Sequence, residues 1–121
     1  MGYRSEVMAA FYAEKEKGAA LKLYVDENFP EGLKDSLDTI NNGRYVGYLF
    51  HESDVKWYPS YAEVQSFERF VSNFLELAEQ EEIAWCYEFV RIGEDSGDIE
   101  EVQSDYADNQ LHVTRSIESN F

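Results

Sequence analysis

Residues 60–92 read SYAEVQSFERFVSNFLELAEQEEIAWCYEFVRI, and this stretch decides the fold class. Val64, Phe67, Val71, Phe74, Leu75 and Ala78 recur at three and four residues, the period of one helical face. Glu63, Arg69, Glu76 and Glu79 fall on the other side. Ser60-Tyr61-Ala62-Glu63 has the form of a capping box, in which the serine oxygen receives a helical N–H and the glutamate reaches back. A long helix is therefore expected from Ser60. The pattern then changes. Residues 83–92 carry Trp85, Tyr87, Phe89 and Val90 and read as an interior strand.

Toward the C-terminus, residues 93–97 hold two glycines and form a turn. Residues 98–106 and 110–117 read as amphipathic strands joined by Ala107-Asp108-Asn109, so a three-stranded meander is expected. Toward the N-terminus, residues 3–12 alternate imperfectly and read as a strand buried on one or both faces. Residues 14–28 fit a helix through Leu21, Tyr24 and Val25, with Gly18 marking a close approach. Phe29-Pro30-Glu31-Gly32 breaks it, and Leu33, Leu37 and Ile40 at helical spacing predict a short second helix. Asn41-Asn42-Gly43 is a turn signal. Residues 44–51 follow as a strand, with Tyr45, Gly47 and Leu49 on one face and Val46, Tyr48 and Phe50 on the other, and residues 54–58 as a short extended piece after a turn. The expected order is β-α-β-(β)-α-β-β-β: a single α+β domain over residues 1–121, with an antiparallel or mixed sheet and two main helices on one face.

Nine tyrosines and eight phenylalanines supply an aromatic core, which a disordered acidic tail would lack. The net charge is −15, and it is uneven: residues 1–60 carry −3 and residues 61–121 carry −12, with every lysine at or before Lys56. Such a chain repels nucleic acid and anionic membranes, since phosphate contacts need Lys and Arg. Its expected partners are basic surfaces or cations. The lone cysteine, Cys86, excludes an internal disulfide and a Cys-rich zinc site, and it sits in an aromatic strand as a small buried residue rather than a nucleophile. The first residues lack a signal-peptide pattern, no apolar run approaches a membrane span, and Glu6 spoils a myristoylation motif. A cytosolic context is expected.

No catalytic motif accompanies His51 or His112, the only histidines, and catalysis is not expected. The densest acidic run, Glu94-Asp95-Ser96-Gly97-Asp98-Ile99-Glu100-Glu101, continues to Asp105 and Asp108 but lacks the spacing of a calcium loop. No metal or cofactor is expected. The run suits a hairpin with a charged edge, which blocks self-pairing. It also suits nucleic-acid mimicry, with Glu101 and Asp105 on one strand face and Glu76 and Glu79 extending the field. Glu79-Gln80-Glu81-Glu82 places anions at a helix C-terminus, where the macrodipole disfavours them by a few tenths to about 1 kcal/mol each. Trp57, Tyr58 and Tyr61 are of the residue types that dominate binding hot spots, though they also suit clamping the helix start onto the sheet.

Gly2-Tyr3-Arg4-Ser5-Glu6-Val7, then Val55-Lys56-Trp57-Tyr58 with Tyr61 and Val64, then Glu88-Phe89-Val90-Arg91-Ile92-Gly93-Glu94-Asp95 together resemble a family of small acidic bacteriophage and prophage proteins. The resemblance spans most of the chain and carries no catalytic motif. It implies a phage accessory protein acting in the host bacterial cytoplasm. By analogy with small acidic phage proteins, it implies an inhibitor of host defence of the anti-CRISPR or anti-restriction kind. The combined expectation is a non-enzymatic inhibitor. It would bind the basic surface of a host nucleic-acid-binding complex through Glu76, Glu79, Glu94, Asp95, Asp98, Glu100, Glu101, Asp105 and Asp108. The alternative is an adaptor or structural accessory protein, open to homo-oligomer formation, that binds through Trp57, Tyr58 and Tyr61.

Overall fold

A computed structural model of the chain describes residues 3–95, 97–104, 106–113 and 117–119, with side chains to residue 111. β1 (Ser5–Glu14) lies at the middle of a five-stranded antiparallel sheet. It pairs with β3 (Tyr45–Val55) on one side and β4 (Cys86–Gly93) on the other. β2 (Leu37–Asn41) and β5 (Ile99–Gln103) form the two edges, giving the order β2-β3-β1-β4-β5. α1 (Gly18–Asn28) connects β1 to β2 and α2 (Ala62–Gln80) connects β3 to β4. This is the topology of a split βαβ, ferredoxin-like unit with β5 added at one edge. The α+β class, with both helices on one face, agrees with the hydrophobic pattern.

β1 is covered on both faces, by the helices on one and by the Leu111 cluster on the other, and is apolar on both. Val7, Ala9, Phe11 and Ala13 face the helices, while Met8, Ala10 and Tyr12 face away. Phe11 is the hub of the main core. The rings of Phe29, Phe67, Phe70, Phe74 and Tyr87 stand 5.2–6.2 Å from it, several edge-on, as aromatic quadrupoles favour. α1 is seated on β3 through Gly18: a Cβ there would stand 1.7 Å from Val46 Cγ2. The hairpin at Asn41-Asn42-Gly43 is held by Asn42 Oδ1, which accepts from the Arg44 and Tyr45 amides at 3.1 and 2.8 Å, with Gly43 at φ 89°.

Four expectations are corrected. Residues 31–36 form a 3-10 turn and Leu37–Asn41 is an edge strand, so no short helix runs through Ile40. Residues three apart lie near one another on a helix but on opposite faces of a strand, and Leu37 joins the helix-side core while Ile40 joins the other. Residues 51–55 continue β3 through a bulge at Asp54 (φ 56°) rather than turning out of it. Ser60 does not cap α2. The helix enters at Tyr61, which has no side-chain cap, because the Tyr61 amide closes a turn on the Tyr58 carbonyl at 2.9 Å and leaves Ser60 one residue too early. Residues 110–117 do not complete a meander. β6 (Leu111–Val113) pairs with β7 (Ile117–Ser119) in a separate ladder.

A buried carboxylate draws the chain away from the meander. Glu88, 1 % exposed, accepts hydrogen bonds from the Tyr12 hydroxyl and from the Gln110 and Leu111 amides at 3.0 and 2.9 Å. Tyr12 in turn accepts the Asp108 amide at 2.8 Å. Residues 106–111 are thereby held across the face opposite the helices, where Leu111 covers Met8, Tyr12 and Val90. No helix among the described residues is long and apolar enough to cross a membrane.

Candidate functional site: an acidic trough

α2 lies over β1 and leaves the β5 side of the sheet uncovered, so a trough runs between α2 and β5. It consists of two hollows of about 540 and 690 Å³ that meet at Leu75. Trp57, Val71, Phe89 and Val102 form the floor of the first. Glu68 stands on its helix wall, and Asp98 and Glu100 on its strand wall. The second is bounded by Glu79 and Glu82 on the helix side and by Ser104 and Tyr106 opposite. Helical spacing builds the long wall: residues 68, 72, 75 and 79 fall along one flank of the buried stripe, and Glu82 follows just past the helix end.

Among the described residues, the one cation lining the first hollow is already engaged. Arg91 holds Asp98 in a two-pronged pair at 2.7 and 3.1 Å and reaches Glu100 at 3.3 Å. Tyr3 donates to Asp98 at 2.6 Å. Arg91 first, and Tyr3 second, hold the Asp98 carboxyl down to about 2. The walls therefore present net negative charge above an apolar floor.

Two acids in this wall are placed against local preference. Glu82 follows the helix with φ 53°, in the left-handed position usually given to glycine. Its amide donates to the Glu79 carbonyl at 3.2 Å and the Ile83 amide to the Ala78 carbonyl at 2.9 Å, the double bond of a Schellman motif. Glu79 and Glu82 also sit at the negative end of the helix dipole. Both placements carry a cost in stability.

The residues singled out in the sequence separate as follows. Glu79, Asp98, Glu100 and Trp57 come together in the trough. Glu76 is exposed on α2 and accepts from Gln80 at 3.2 Å. Glu94 and Asp95 lie at the turn after β4, with Glu94 accepting the Arg4 amide at 3.0 Å. Glu101 pairs with Val90 and faces away from the helices, opposite to Glu100, which pairs with Arg91. Asp108 is on that far side too, accepting from Tyr45 at 2.6 Å. Asp105 lies outside the described residues. The acids thus divide between two faces and a turn rather than forming one continuous array.

Trp57 packs against Phe50, Phe67 and Phe89 with ring centroids 5.3–6.4 Å apart, so it belongs to the core as well as to the trough floor. Tyr58 accepts the Tyr3 amide at 2.6 Å and meets the Tyr61 ring at 5.0 Å, clamping the start of β1 to the entry of α2. Glu68 and Val102 of the trough were not singled out in the sequence, whereas Glu82 was noted among the acids at the helix C-terminus. The signal for Glu68 was present, as an acid flanking the apolar stripe at helical spacing.

His51 stands 2.8 Å from Glu6 and 3.5 Å from Ser53 Oγ, both through Nε2. A serine relay needs the two ring nitrogens to face different partners, and His51 lines neither hollow of the trough. Burial pushes the Cys86 thiol up to about 12, with the charges of Glu88 and Asp108 adding to it. Among the described residues no group of three or more His, Cys, Asp and Glu is arranged to hold a metal ion. No protein-family model, curated protein or solved structure matches the chain.

Proposed function

We propose that this chain is a non-catalytic binding domain that seats its acidic trough on the basic surface of a nucleic-acid-binding protein and blocks that surface. The resemblance to phage proteins makes a bacterial defence complex, such as a CRISPR effector or a restriction enzyme, the intended target in the host cytoplasm. The observation that carries the reading is the trough itself: Glu68, Glu79, Glu82, Asp98 and Glu100 around an apolar floor, with Arg91 already paired. Apolar floor and charged rim are the parts of a protein interface.

Competition for the basic surface fits better than copying a duplex. Residues 68 to 82 span roughly 21 Å at 1.5 Å per residue, a length over which a duplex carries about twelve charges. The helix wall carries Glu68, Glu79 and Glu82. The charge would steer the encounter and the apolar floor would hold the complex.

The test is capture of partners from a bacterial lysate by the wild-type chain and by a Glu68→Gln/Glu79→Gln/Glu100→Gln variant, at low and high salt. The expected result is a nucleic-acid-binding protein retained by the wild type and lost in the variant and at high salt. Capture that ignores both changes would overturn the charge-based reading. Loss only on altering Trp57, with no salt dependence, would favour the adaptor reading instead.

A further inference from the structure

β5 (Ile99–Gln103) ends the sheet, and among the described residues β4 is its one neighbour. The parity of that ladder decides which backbone groups β4 uses. The Gly93 amide donates to the Asp98 carbonyl at 2.8 Å, and the Ser104 amide donates to the Tyr87 carbonyl at 2.9 Å. Between them Arg91 pairs with Glu100 and Phe89 with Val102, without a register shift. Antiparallel pairs alternate between hydrogen-bonded and non-bonded. Asp98, Glu100, Val102 and Ser104 therefore turn their backbone to β4, and Ile99, Glu101 and Gln103 turn theirs outward. The Ile99 amide closes on the Gly97 carbonyl at 3.2 Å. The outward row is then the Ile99 carbonyl and both groups of Glu101 and Gln103.

Among the described residues the edge is open, and its side chains say what fits it. Glu100 and Val102 point to the trough, while Ile99, Glu101 and Gln103 point to the far face. Ile99 and Val102 are 44 % and 42 % exposed, large for such side chains. A second copy is a poor occupant. Antiparallel self-pairing about Glu101 sets acid against acid, between chains of net charge −15. A basic strand meets the opposite condition on both faces: Glu68, Glu79 and Glu100 on one, Glu101 on the other.

We propose that β5 is a docking strand, to which an extended basic segment of the partner protein adds as a further strand of the sheet. Main-chain bonds to Glu101 and Gln103 supply affinity, as in other strand additions. Alternate side chains of the added segment enter the trough, apolar beside Val102 and Leu75 and basic beside Glu68, Glu79 and Glu100. This rests on the reading above that the partner is a basic protein, and adds the geometry by which it is held.

The test uses two synthetic peptides of equal composition. One alternates Leu and Lys and favours a strand; the other sets Leu and Lys at helical spacing. Each is titrated into the folded chain to millimolar concentration while amide hydrogen exchange is followed by NMR. The expected result is that the alternating peptide binds and slows exchange at Glu101 and Gln103. Exchange at Glu100 and Val102, already bonded to β4, stays as it was. Glu101→Pro removes an outward N–H without breaking the β4 ladder, so it weakens binding roughly tenfold more than Glu101→Gln does. N-methylation of alternate peptide residues tests the same bonds on the unaltered protein and lowers affinity likewise. Binding of the helical peptide alone, with no protection at the edge, overturns strand addition and leaves the acidic interface standing. Binding of neither peptide overturns both. Concentration-dependent protection of the same amides without peptide assigns the edge to a second copy and overturns the proposal.

Discussion

Replacing Glu82 by glycine is expected to make the protein more stable. Glu82 sits at φ 53° just after α2, where an L side chain costs about 1–2 kcal/mol. Its carboxylate faces the negative end of the helix, an opposition of about 0.3–1 kcal/mol at an exposed site. Glycine relieves both, and gives back about 0.4–1 kcal/mol through the freer unfolded chain. The net expectation is a gain of about 1.5 kcal/mol, taking the middle of these ranges. Glu82→Gln separates the parts, because it removes the charge and keeps the strained backbone. It should gain only the dipole share, a few tenths of a kcal/mol. The assay is urea denaturation of the three proteins, with the midpoint shift read at constant m-value. A glycine variant less stable than wild type would refute the argument, because the Schellman geometry would then be favourable with glutamate in place. If Glu82 is kept for binding, the same substitution should weaken capture of the partner as it strengthens the fold.

Glu88→Gln should cost about 1–3 kcal/mol in the same assay, since the Gln110 and Leu111 amides reach different carboxylate oxygens and an amide can answer only one of them. Hydrogen exchange at Gln110 and Leu111 should quicken before the sheet loosens; unchanged exchange would mean that the segment is held by packing alone. The Asp98 carboxyl, held at about 2 against an ordinary 3.8, binds its proton less readily in the folded chain than in the unfolded one. Its contribution is thus present above the ordinary value and lost as pH falls through about 2, and Asp98→Asn should flatten the stability profile across that acid window. The Cys86 thiol, pushed up to about 12 and donating to the Tyr106 carbonyl at 3.1 Å, should resist a disulfide reagent at about pH 8 until the chain opens. Labelling should speed up in Glu88→Gln, where the Tyr106 segment is loosened. Trp57→Ala should lower stability by about 2–4 kcal/mol, through lost contacts with Phe50, Phe67 and Phe89, so its binding is interpretable only on the folded fraction.

What could be read in the sequence was what repeats or what local chemistry dictates. The stripe from Val64 to Ala78 specified α2, the two-faced apolar run specified β1, and Asn42-Gly43 specified the hairpin. Leu37 and Ile40 misled because spacing of three fits a helix face and also the two faces of an edge strand. Only pairing of Leu37 with Phe50 chooses between them. Ser60 misled because a capping box is a local option, and the turn from Tyr58 starts the helix one residue later. The course of residues 106–111 depends on Glu88, a charged residue inside an aromatic strand, and its partners are 22 and 23 positions away. In the trough, the split of Glu100 from Glu101 was legible as strand parity. Which of them joined Glu79 was not, since that depends on which face α2 covers. The Arg91–Asp98 pair needed the β4–β5 register.

The charge asymmetry of the chain becomes a spatial one through strand order. β2, β3 and α1 come from the half with net charge −3, and α2, β4 and β5 from the half with −12. β1 stands between β3 and β4, so the sheet sorts the two halves to its two sides. Had the last strands paired beyond β2, the acids would have met the lysine-bearing half and been diluted by it. Instead Glu68, Glu79 and Glu82 on the α2 side, with Glu100 and Glu101 on β5, lie along one edge of the sheet. Such a molecule is polar as a whole, and a basic surface orients it before contact, with the β5 side leading. The same charge opposes the joining of two copies along β5. A single arrangement thereby favours a basic partner at this edge and disfavours the chain's own edge as a substitute, which a uniformly acidic surface of equal net charge would not do.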